Sequence, residues 1–317
     1  MKVAVLGTSF MDIKGFALDK YIPNGRNAGK IEYVYGGVGR NVACDIAATG
    51  VEVNFVSLVD DSASGDAMIG SMREHGVGTE YVRKSPDGSG TWLAIFDETG
   101  DVVANISKRS DLMPLCDILD EQGDEIFADA DSIAVEIDME EDIIERIFRL
   151  AEKYETPVYA LISNMSIALE RMPYIKRTVC FVCNQQEAGM FFAAVGDGAV
   201  SNAVVGNEAE NMQTADPTPE EMEPADMQEL LSTGLIQAGL NAMVVTMGEK
   251  GAVYACADGT SGFCPAQKVD VVDTTGAGDA FFAGVCSGLT QGMNMDAACG
   301  LGTELSAEVI KSIGNIC

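Results

Sequence analysis

Histidine is almost absent from this sequence. The only one among the 317 residues is His75, and the pattern around it predicts the end of a helix, where an imidazole would act as a cap. With a single histidine at a predicted helix end, serine–histidine catalytic pairs and histidine-ligated metal sites are nearly excluded.

Long hydrophobic runs are also missing. The sequence contains no stretch of about 18 or more apolar residues, so we expect no membrane span. Residues 1–7 hold too short an apolar stretch for a signal peptide. They predict a first strand instead.

Basic residues are scarce. The chain has 20 lysines and arginines against 49 acidic residues, which gives a formal net charge of −29. So negative a surface disfavours nucleic acid and anionic lipid as partners. If the protein binds phosphate, the few cations near that site matter, and a divalent metal would have to screen the charge of a nucleotide.

Cysteine pairs with metal-ligand spacing are missing as well. The nine cysteines are scattered, and only Cys180 and Cys183 form a C-x-x-C, without a second pair or a histidine nearby. Buried thiols explain the pair better than zinc or redox chemistry does. This usage is typical of a reducing compartment and predicts a cytoplasmic protein.

The most informative feature that is present is a predicted strand, turn and helix over residues 271–284. A β-branched run ends in Asp273, and a small-residue turn at 276–278 precedes Asp279 and an apolar helical run. A helix start offers unpaired N–H groups and a positive dipole end, which attract phosphate. A carboxylate there suits a base that deprotonates an attacking hydroxyl. The plainer interpretation is a simple turn, with Asp279 favouring the helix dipole.

The string Asp-Thr-Thr-Gly-Ala-Gly-Asp-Ala-Phe, which starts at Asp273, resembles the signature of the ribokinase-like (PfkB) sugar and nucleoside kinases. The resemblance implies ATP-dependent phosphorylation of a hydroxyl. It implies that Asp279 is the catalytic base. The amides of Gly276, Ala277 and Gly278 would form the anion hole for the transferring phosphoryl group.

A second glycine motif, Gly-Gly-Val-Gly-Arg-Asn, starts at Gly36 and ends at Asn41. It fails as a dinucleotide fingerprint because Val42 replaces the third glycine. It resembles the N-terminal signature of the same kinase family, in which Gly36 and Gly37 would lie against the sugar and Asn41 would bond its hydroxyls. The resemblance also implies that Asp12, which follows the first strand, binds those hydroxyls.

Two further motifs resemble the nucleotide and metal sites of the family. Asn184 and Glu187 form an Asn-x-x-Glu that would order Mg²⁺ and phosphate through water, although alone it is a common helix start. Thr246, Gly248 and Gly251 resemble the family's nucleotide-binding loop, to which Asn184 would also contribute.

A monovalent cation is a further hypothesis. Asp273 and Thr275 match positions where some family members bind one, so potassium could activate the reaction. Ser306 and Ala307 lie where the adenine pocket should close. Residues 160–164, Ala-Leu-Ile-Ser-Asn, depart from the Asp-Pro-type turn expected there.

The alternation of predicted strands and helices indicates an α/β fold with a mainly parallel central sheet covered on both faces. We expect a single ribokinase-like domain over residues 1–317, with lid hairpins at about 13–35 and 81–108. An edge extension of the main sheet is the alternative for those hairpins. The apolar lid face at Trp92 to Phe96 could pair two subunits, which predicts a homodimer.

The substrate is argued from the segment 29–41 and from Asp12-Ile-Lys-Gly, which are most similar to pseudouridine kinases. The resemblance implies 5′-phosphorylation of that nucleoside. The alternatives are a ribose, fructose or adenosine kinase of the same family, and a non-catalytic sugar or nucleoside sensor. An intact Asp279 argues against the sensor, which needs no base.

Overall fold

The computed structural model describes residues 1–196 and 222–311. The acidic residues and three prolines at 206–226 predict a solvated loop, and this segment lies mostly outside the described residues. Its last residues are described, and Pro224 begins a helix. None of the described helices is long and apolar enough to cross a membrane.

The strands form two sheets. In chain order they are β1 (Lys2–Leu6), β2 (Phe10–Ala17), β3 (Gly29–Gly36), β4 (Glu52–Asp60), β5 (Val82–Ser85), β6 (Gly90–Phe96), β7 (Val102–Lys108), β8 (Ser132–Glu136), β9 (Val158–Leu161), β10 (Cys180–Asn184), β11 (Ala242–Thr246), β12 (Gly251–Cys256) and β13 (Ser261–Pro265).

The helices are α1 (Val38–Ala48), α2 (Ala63–Glu74), α3 (Leu115–Asp129), α4 (Glu141–Tyr154), α5 (Met165–Glu170), α6 (Met172–Ile175), α7 (Gln185–Gly196), α8 (Pro224–Ala238), α9 (Ala277–Thr290) and α10 (Met295–Val309). His75 ends α2 as its C-cap, as predicted, and its Nδ1 lies 2.8 Å from the Ser71 carbonyl oxygen.

The main sheet has nine strands in the order β13-β12-β11-β10-β9-β8-β1-β4-β5. Its strands pair in parallel from β5 to β11, and only β12 and β13 are antiparallel. The α/β prediction is confirmed. Parallel pairing brings the carboxyl ends of the central strands to one edge, where ligands bind in such sheets.

Helices cover both faces of this sheet because its central strands are apolar on both sides. In β1, Ala4 and Leu6 face one core, and Val3 and Val5 face the other, as the two-residue period of a strand requires. The first core is completed mainly by α3, α4 and α8, and the second by α1, α2, α9 and α10.

The second sheet has four strands in the order β3-β2-β6-β7, and we call it the small sheet. It confirms the prediction of a separate small sheet, with two differences in extent. The first pair begins earlier than predicted, at Phe10. The segment Val82–Ser85 was predicted in the lid but pairs with β4 in the main sheet, because α2 carries the chain back to that edge as a parallel crossover.

Candidate functional site

The first turn of α9 carries the central carboxylate of the site. Gly276 caps the helix with a φ of 81°, and Asp279 lies in the first turn. The Asn41 side-chain amide donates to Asp279 Oδ2 over 2.8 Å, across 238 residues of sequence. Two separate glycine-containing segments thus meet at one carboxylate.

Burial gives the Asp279 carboxylate the pKa of a general base. Removal from water is the main influence, and together with the nearby charge of Asp12 it outweighs the hydrogen bond from Asn41, raising the pKa of Asp279 to about 7. A base with a pKa near neutral pH combines a deprotonated fraction with useful proton affinity.

Asn41 is held in one orientation by its neighbour. Arg40 is completely buried. Its Nη1 donates to the Asn41 side-chain oxygen over 3.2 Å and to the Tyr35 carbonyl over 3.0 Å. With that oxygen engaged, the amide nitrogen of Asn41 faces Asp279.

Asp12 approaches the same site from the small sheet. It pairs with Trp92, and Trp92 pairs with Ser107 on the next strand, so the three side chains form a row on one face of the sheet. Burial raises the pKa of Asp12 to about 6, although the positive charges of Lys14 and Arg40 oppose the shift.

Close contacts surround both glycines that were predicted to bind the substrate. A Cβ on Gly36 would lie 2.5 Å from Asp12 Oδ2. Gly37 has a φ of 99°, and a Cβ there would lie 2.7 Å from the Phe10 nitrogen. The bare backbone therefore lets α1 begin directly beside Asp12.

A first cavity of about 550 Å³ opens where these elements meet. The structure brings most of the predicted substrate and catalytic residues into its wall: Asp12, Gly37, Asn41, Gly276 and Asp279. The wall also contains side chains that the sequence did not single out as site residues: Phe10, Trp92, Arg109, Glu136, Asp138 and Ser163.

Glu136 was visible in the sequence only as the end of a predicted strand. Its Oε2 accepts from the Thr8 amide at 2.8 Å and from the Thr8 hydroxyl at 2.9 Å. Burial first, and then the neighbouring Asp138, raises the pKa of Glu136 to about 7. Its place after β8, beside β1 at the carboxyl edge of the sheet, is the signal that could have identified it.

A second cavity of about 530 Å³ lies on the other side of the 276–278 loop. Its wall includes the residues predicted for the nucleotide and the adenine pocket: Thr246, Gly248, Gly251, Ser306 and Ala307. Ala277 and Gly278 line this second cavity, whereas Gly276 and Asp279 line the first. The start of α9 therefore forms the boundary between two cavities of similar size.

Asn184 and Glu187 form a reciprocal helix cap at the start of α7. The Asn184 amide donates to Glu187 Oε2 at 2.8 Å, and the Glu187 amide donates to Asn184 Oδ1 at 2.9 Å. This is the capping-box geometry that a helix start uses. The structural interpretation of this motif is therefore correct, and its metal role stays a prediction.

The donor chemistry around Glu187 fits a loosely held magnesium ion. Burial, together with the charge of Asp138, raises the pKa of Glu187, and a cation nearby would relieve both effects. The described residues contain no cluster of three or more potential metal ligands. Mg²⁺ does not need one, because it keeps several waters and takes further oxygens from phosphate.

Both carboxylate oxygens of Asp273 accept hydrogen bonds from other residues. Its Oδ1 accepts from the Thr275 amide at 2.9 Å and from the Thr275 hydroxyl at 2.7 Å, and Lys14 Nζ donates to its Oδ2 at 3.3 Å. Burial alone would raise its pKa, but these hydrogen bonds and the Lys14 charge lower the pKa of Asp273 overall.

The segment 160–164 departs from the expected Asp-Pro-type turn because its last residue starts a helix. Asn164 caps α5, and its side-chain oxygen accepts from the amides of Ser166 and Ile167. A capped helix replaces the Asp-Pro-type turn. The C-x-x-C pair is likewise structural, because Cys180 and Cys183 are both free and buried.

Comparisons of the sequence with known proteins agree with this geometry. A family model described as pfkB family carbohydrate kinase matches residues 1–316. The chain is similar to guanosine-inosine kinase of Exiguobacterium acetylicum, at 32% identity over 317 residues, covering 99% of this chain and 96% of that protein. It is also similar to pseudouridine kinase of Escherichia coli (strain K12), at 23% identity over 292 residues, covering 92% and 84%.

Solved structures share the fold. A ribokinase from Arabidopsis thaliana complexed with ribose and ATP superposes with a TM-score of 0.75 at 16% identity, covering 99% of this chain and 94% of that one. A ribokinase from Giardia lamblia gives a TM-score of 0.77 at 16% identity, covering 99% and 93%. The chain therefore belongs to the pfkB family of carbohydrate kinases and is a phosphotransferase, as the residues around Asp279 and Asn41 predicted.

Proposed function

We propose that this protein transfers the γ-phosphoryl group of ATP to the 5′-hydroxyl of a nucleoside. The observation that supports this most strongly is the position of Asp279 at the boundary between two cavities of about 550 and 530 Å³. A hydroxyl donor in the first cavity and a nucleotide in the second would meet at the start of α9.

Each residue at this boundary has a role in that reaction. Asp279 accepts the hydroxyl proton as the oxygen attacks phosphorus. The amides of 276–278, at the positive end of the α9 dipole, hold the charge of the transferring group. Asp12 and Asn41 orient the sugar, so the reacting oxygen and the phosphoryl group are aligned before reaction.

Nucleotide binding falls to the second cavity. Thr246, Gly248 and Gly251 line this cavity, and so do Ser306 and Ala307. The Ser306 hydroxyl donates to the Ala277 carbonyl over 2.7 Å, so it also contacts the 276–278 loop. Magnesium, ordered through water by Asn184 and Glu187, would supply charge neutralisation for the phosphates.

A nucleoside suits the first cavity better than a free sugar does. The cavity extends from Asp279 to Trp92, Leu112 and Met139, and a pentose held at Asp12 would leave that apolar part unused. Stacking on an aromatic side chain is a favourable contact for a nucleobase.

Asp138 favours nucleobases that carry a ring N–H. It lines the first cavity, and a carboxylate accepts hydrogen bonds without donating any. Guanosine, inosine, pseudouridine and uridine all offer a ring N–H beside a carbonyl, whereas adenosine does not. We favour guanosine and inosine because the relative with that activity is 32% identical, against 23% for the pseudouridine kinase.

A coupled assay of ADP release tests this proposal. The substrates to compare are pseudouridine, guanosine, inosine, uridine, adenosine, ribose and fructose. We expect the highest kcat/KM with guanosine, inosine or pseudouridine. A preference for ribose or fructose would contradict the nucleoside assignment, and binding without any ADP release would favour the sensor.

Replacement of Asp12 should act on the nucleoside alone. We expect Asp12→Ala to lower kcat/KM for the nucleoside by about 10- to 100-fold, because a buried hydroxyl would lose its acceptor. The KM for ATP should not change, since Asp12 lines the first cavity only. Steady-state kinetics with each substrate varied in turn will check this, and a parallel rise in the KM for ATP would contradict it.

The outer face of the small sheet supports a homodimer. Tyr33, Ile13, Leu93 and Ile106 form a row across its four strands, and Tyr33 and Ile106 are about 69% and 70% exposed. Such an apolar row is typical of a subunit contact.

The matched pair Ile106→Lys and Ile236→Lys tests the dimer by light scattering, because Ile236 on α8 is similarly exposed, at 74%. Only Ile106→Lys should give monomers, and a monomeric wild type would reject the dimer.

The cytoplasm is the proposed location. The support is chemical, because the buried free thiols Cys180 and Cys183 would persist in a reducing compartment.

A further inference from the structure

Lys14 is a buried lysine beside the catalytic site. It lies on β2 two residues after Asp12, so both side chains point to the same face of the small sheet. Only 2% of Lys14 is exposed. An ammonium group removed from water is costly unless an opposite charge compensates it.

The compensating charge belongs to the loop that precedes α9. Lys14 Nζ lies 3.3 Å from Asp273 Oδ2, although the two residues are 259 positions apart. The other oxygen of Asp273 holds the amide and hydroxyl of Thr275. Asp273 therefore joins the ammonium to the residue directly before Gly276, where the proposed anion hole begins.

This arrangement does not suit a free monovalent cation at Asp273. A potassium ion there would have to approach a carboxylate that already accepts three of the roughly four hydrogen bonds it can take, one of them from an ammonium. It would also lie close to the Lys14 ammonium, and two like charges at short distance in a buried site repel strongly. The donor set instead resembles a cation site whose positive charge is part of the chain.

We propose that Lys14 is the built-in cation of this kinase. Its ammonium fixes Asp273 and, through Asp273 and Thr275, the loop that holds the transferring phosphoryl group. It also joins that loop to the strand that carries Asp12. Lys14 is thus a positioning residue, and the wild-type enzyme needs no potassium. The inference rests on the proposed function, because it assumes that phosphate binds at the 276–278 loop.

The experiment compares wild type, Lys14→Met and Lys14→Arg in potassium chloride and in choline chloride at equal ionic strength. The readouts are the affinity for magnesium–ADP by calorimetry and the kcat with the nucleoside that the wild type turns over. Each readout should be the same in both salts for wild type, and likewise for Lys14→Arg. In choline, Lys14→Met should lower both readouts by about 10- to 100-fold, somewhat less than the loss of a direct oxyanion-hole donor would. Potassium should restore part of this loss.

Two controls separate this role from a general loss of structure. Lys153→Met removes an exposed lysine that pairs with Asp124 at 2.6 Å and should behave as wild type. The double variant Lys14→Met/Asp273→Asn should be no worse than the more impaired single variant, since the two side chains act as one pair.

The outcomes that decide the proposal are distinct from those that decide the reaction. More than tenfold activation of the wild type by potassium would overturn the proposal, and so would a Lys14→Met protein that matches wild type in choline. If Lys14→Met does not fold, wild type and Lys14→Arg decide the question. The proposal requires that neither protein depend on potassium. Normal nucleotide binding without phosphorylation of any nucleoside would contradict the proposed function and leave the binding test of Lys14 valid.

Discussion

Asp279→Asn should lower kcat by about two to four orders of magnitude while nucleotide and nucleoside still bind. The amide keeps the size of the carboxylate and can still contact Asn41, but it cannot accept the hydroxyl proton. The binding cavities stay intact, so the loss should appear in kcat and not in KM. Steady-state kinetics, with magnesium–ADP affinity measured by calorimetry, will separate the two effects.

Asp296→Asn is the matched control for this prediction. Asp296 also lies in the first turn of a helix, α10, and is exposed. It shares with Asp279 any effect that a carboxylate exerts through the helix dipole. It lines neither of the two cavities described here. Equal losses in both variants would mean that Asp279 acts on the helix and is not a base.

The local part of the site could be predicted from the sequence because its chemistry is contiguous. The turn at 276–278 and Asp279 occupy one strand, loop and helix start, and each property used to interpret them belongs to that segment. The contact between Asn41 and Asp279 spans 238 residues. No local pattern specifies it, and only the meeting of two helix starts at one sheet edge creates it.

Sequence patterns did not reveal the site residues that lie in ordinary stretches of the chain. Glu136 ends an ordinary buried strand, and its place in the site becomes visible only when β8 and β1 are paired and Thr8 donates to it. Lys14 lies two residues after Asp12 in a mostly apolar strand, and the alternation of a strand shows which face it shares. Its partner Asp273 lies at the other end of the chain. Sequence also misplaced Val82–Ser85, because a short edge strand carries a weak pattern.

The Asn-x-x-Glu motif has a structural role that does not depend on a metal. Asn184 and Glu187 make a capping box that would occur at any helix start of this composition. Under the proposed function, the same two side chains also order magnesium through water. Capping and metal ordering do not compete, because a carboxylate has more acceptor sites than the cap uses.

The reaction should slow as the pH falls below neutrality. The base must be a carboxylate to accept a proton, and burial raises the pKa of Asp279 to about 7. Above that pH the active form dominates, and below it the active fraction falls about tenfold per pH unit. We therefore expect kcat/KM to drop roughly 50-fold between about pH 7 and pH 5, with thermal unfolding at each pH as the check that the enzyme stays folded.

Two variants should move this acid limb in opposite directions. The charge of Asp12 raises the pKa of Asp279, and the Asn41 hydrogen bond lowers it. Asp12→Asn should therefore shift the limb to lower pH, and Asn41→Ala should shift it to higher pH, whatever each does to the maximal rate. The buried Glu136 also has a pKa raised to about 7, but by burial, Asp138 and Asp279. A limb that neither variant moves would therefore belong to Glu136 and not to the base.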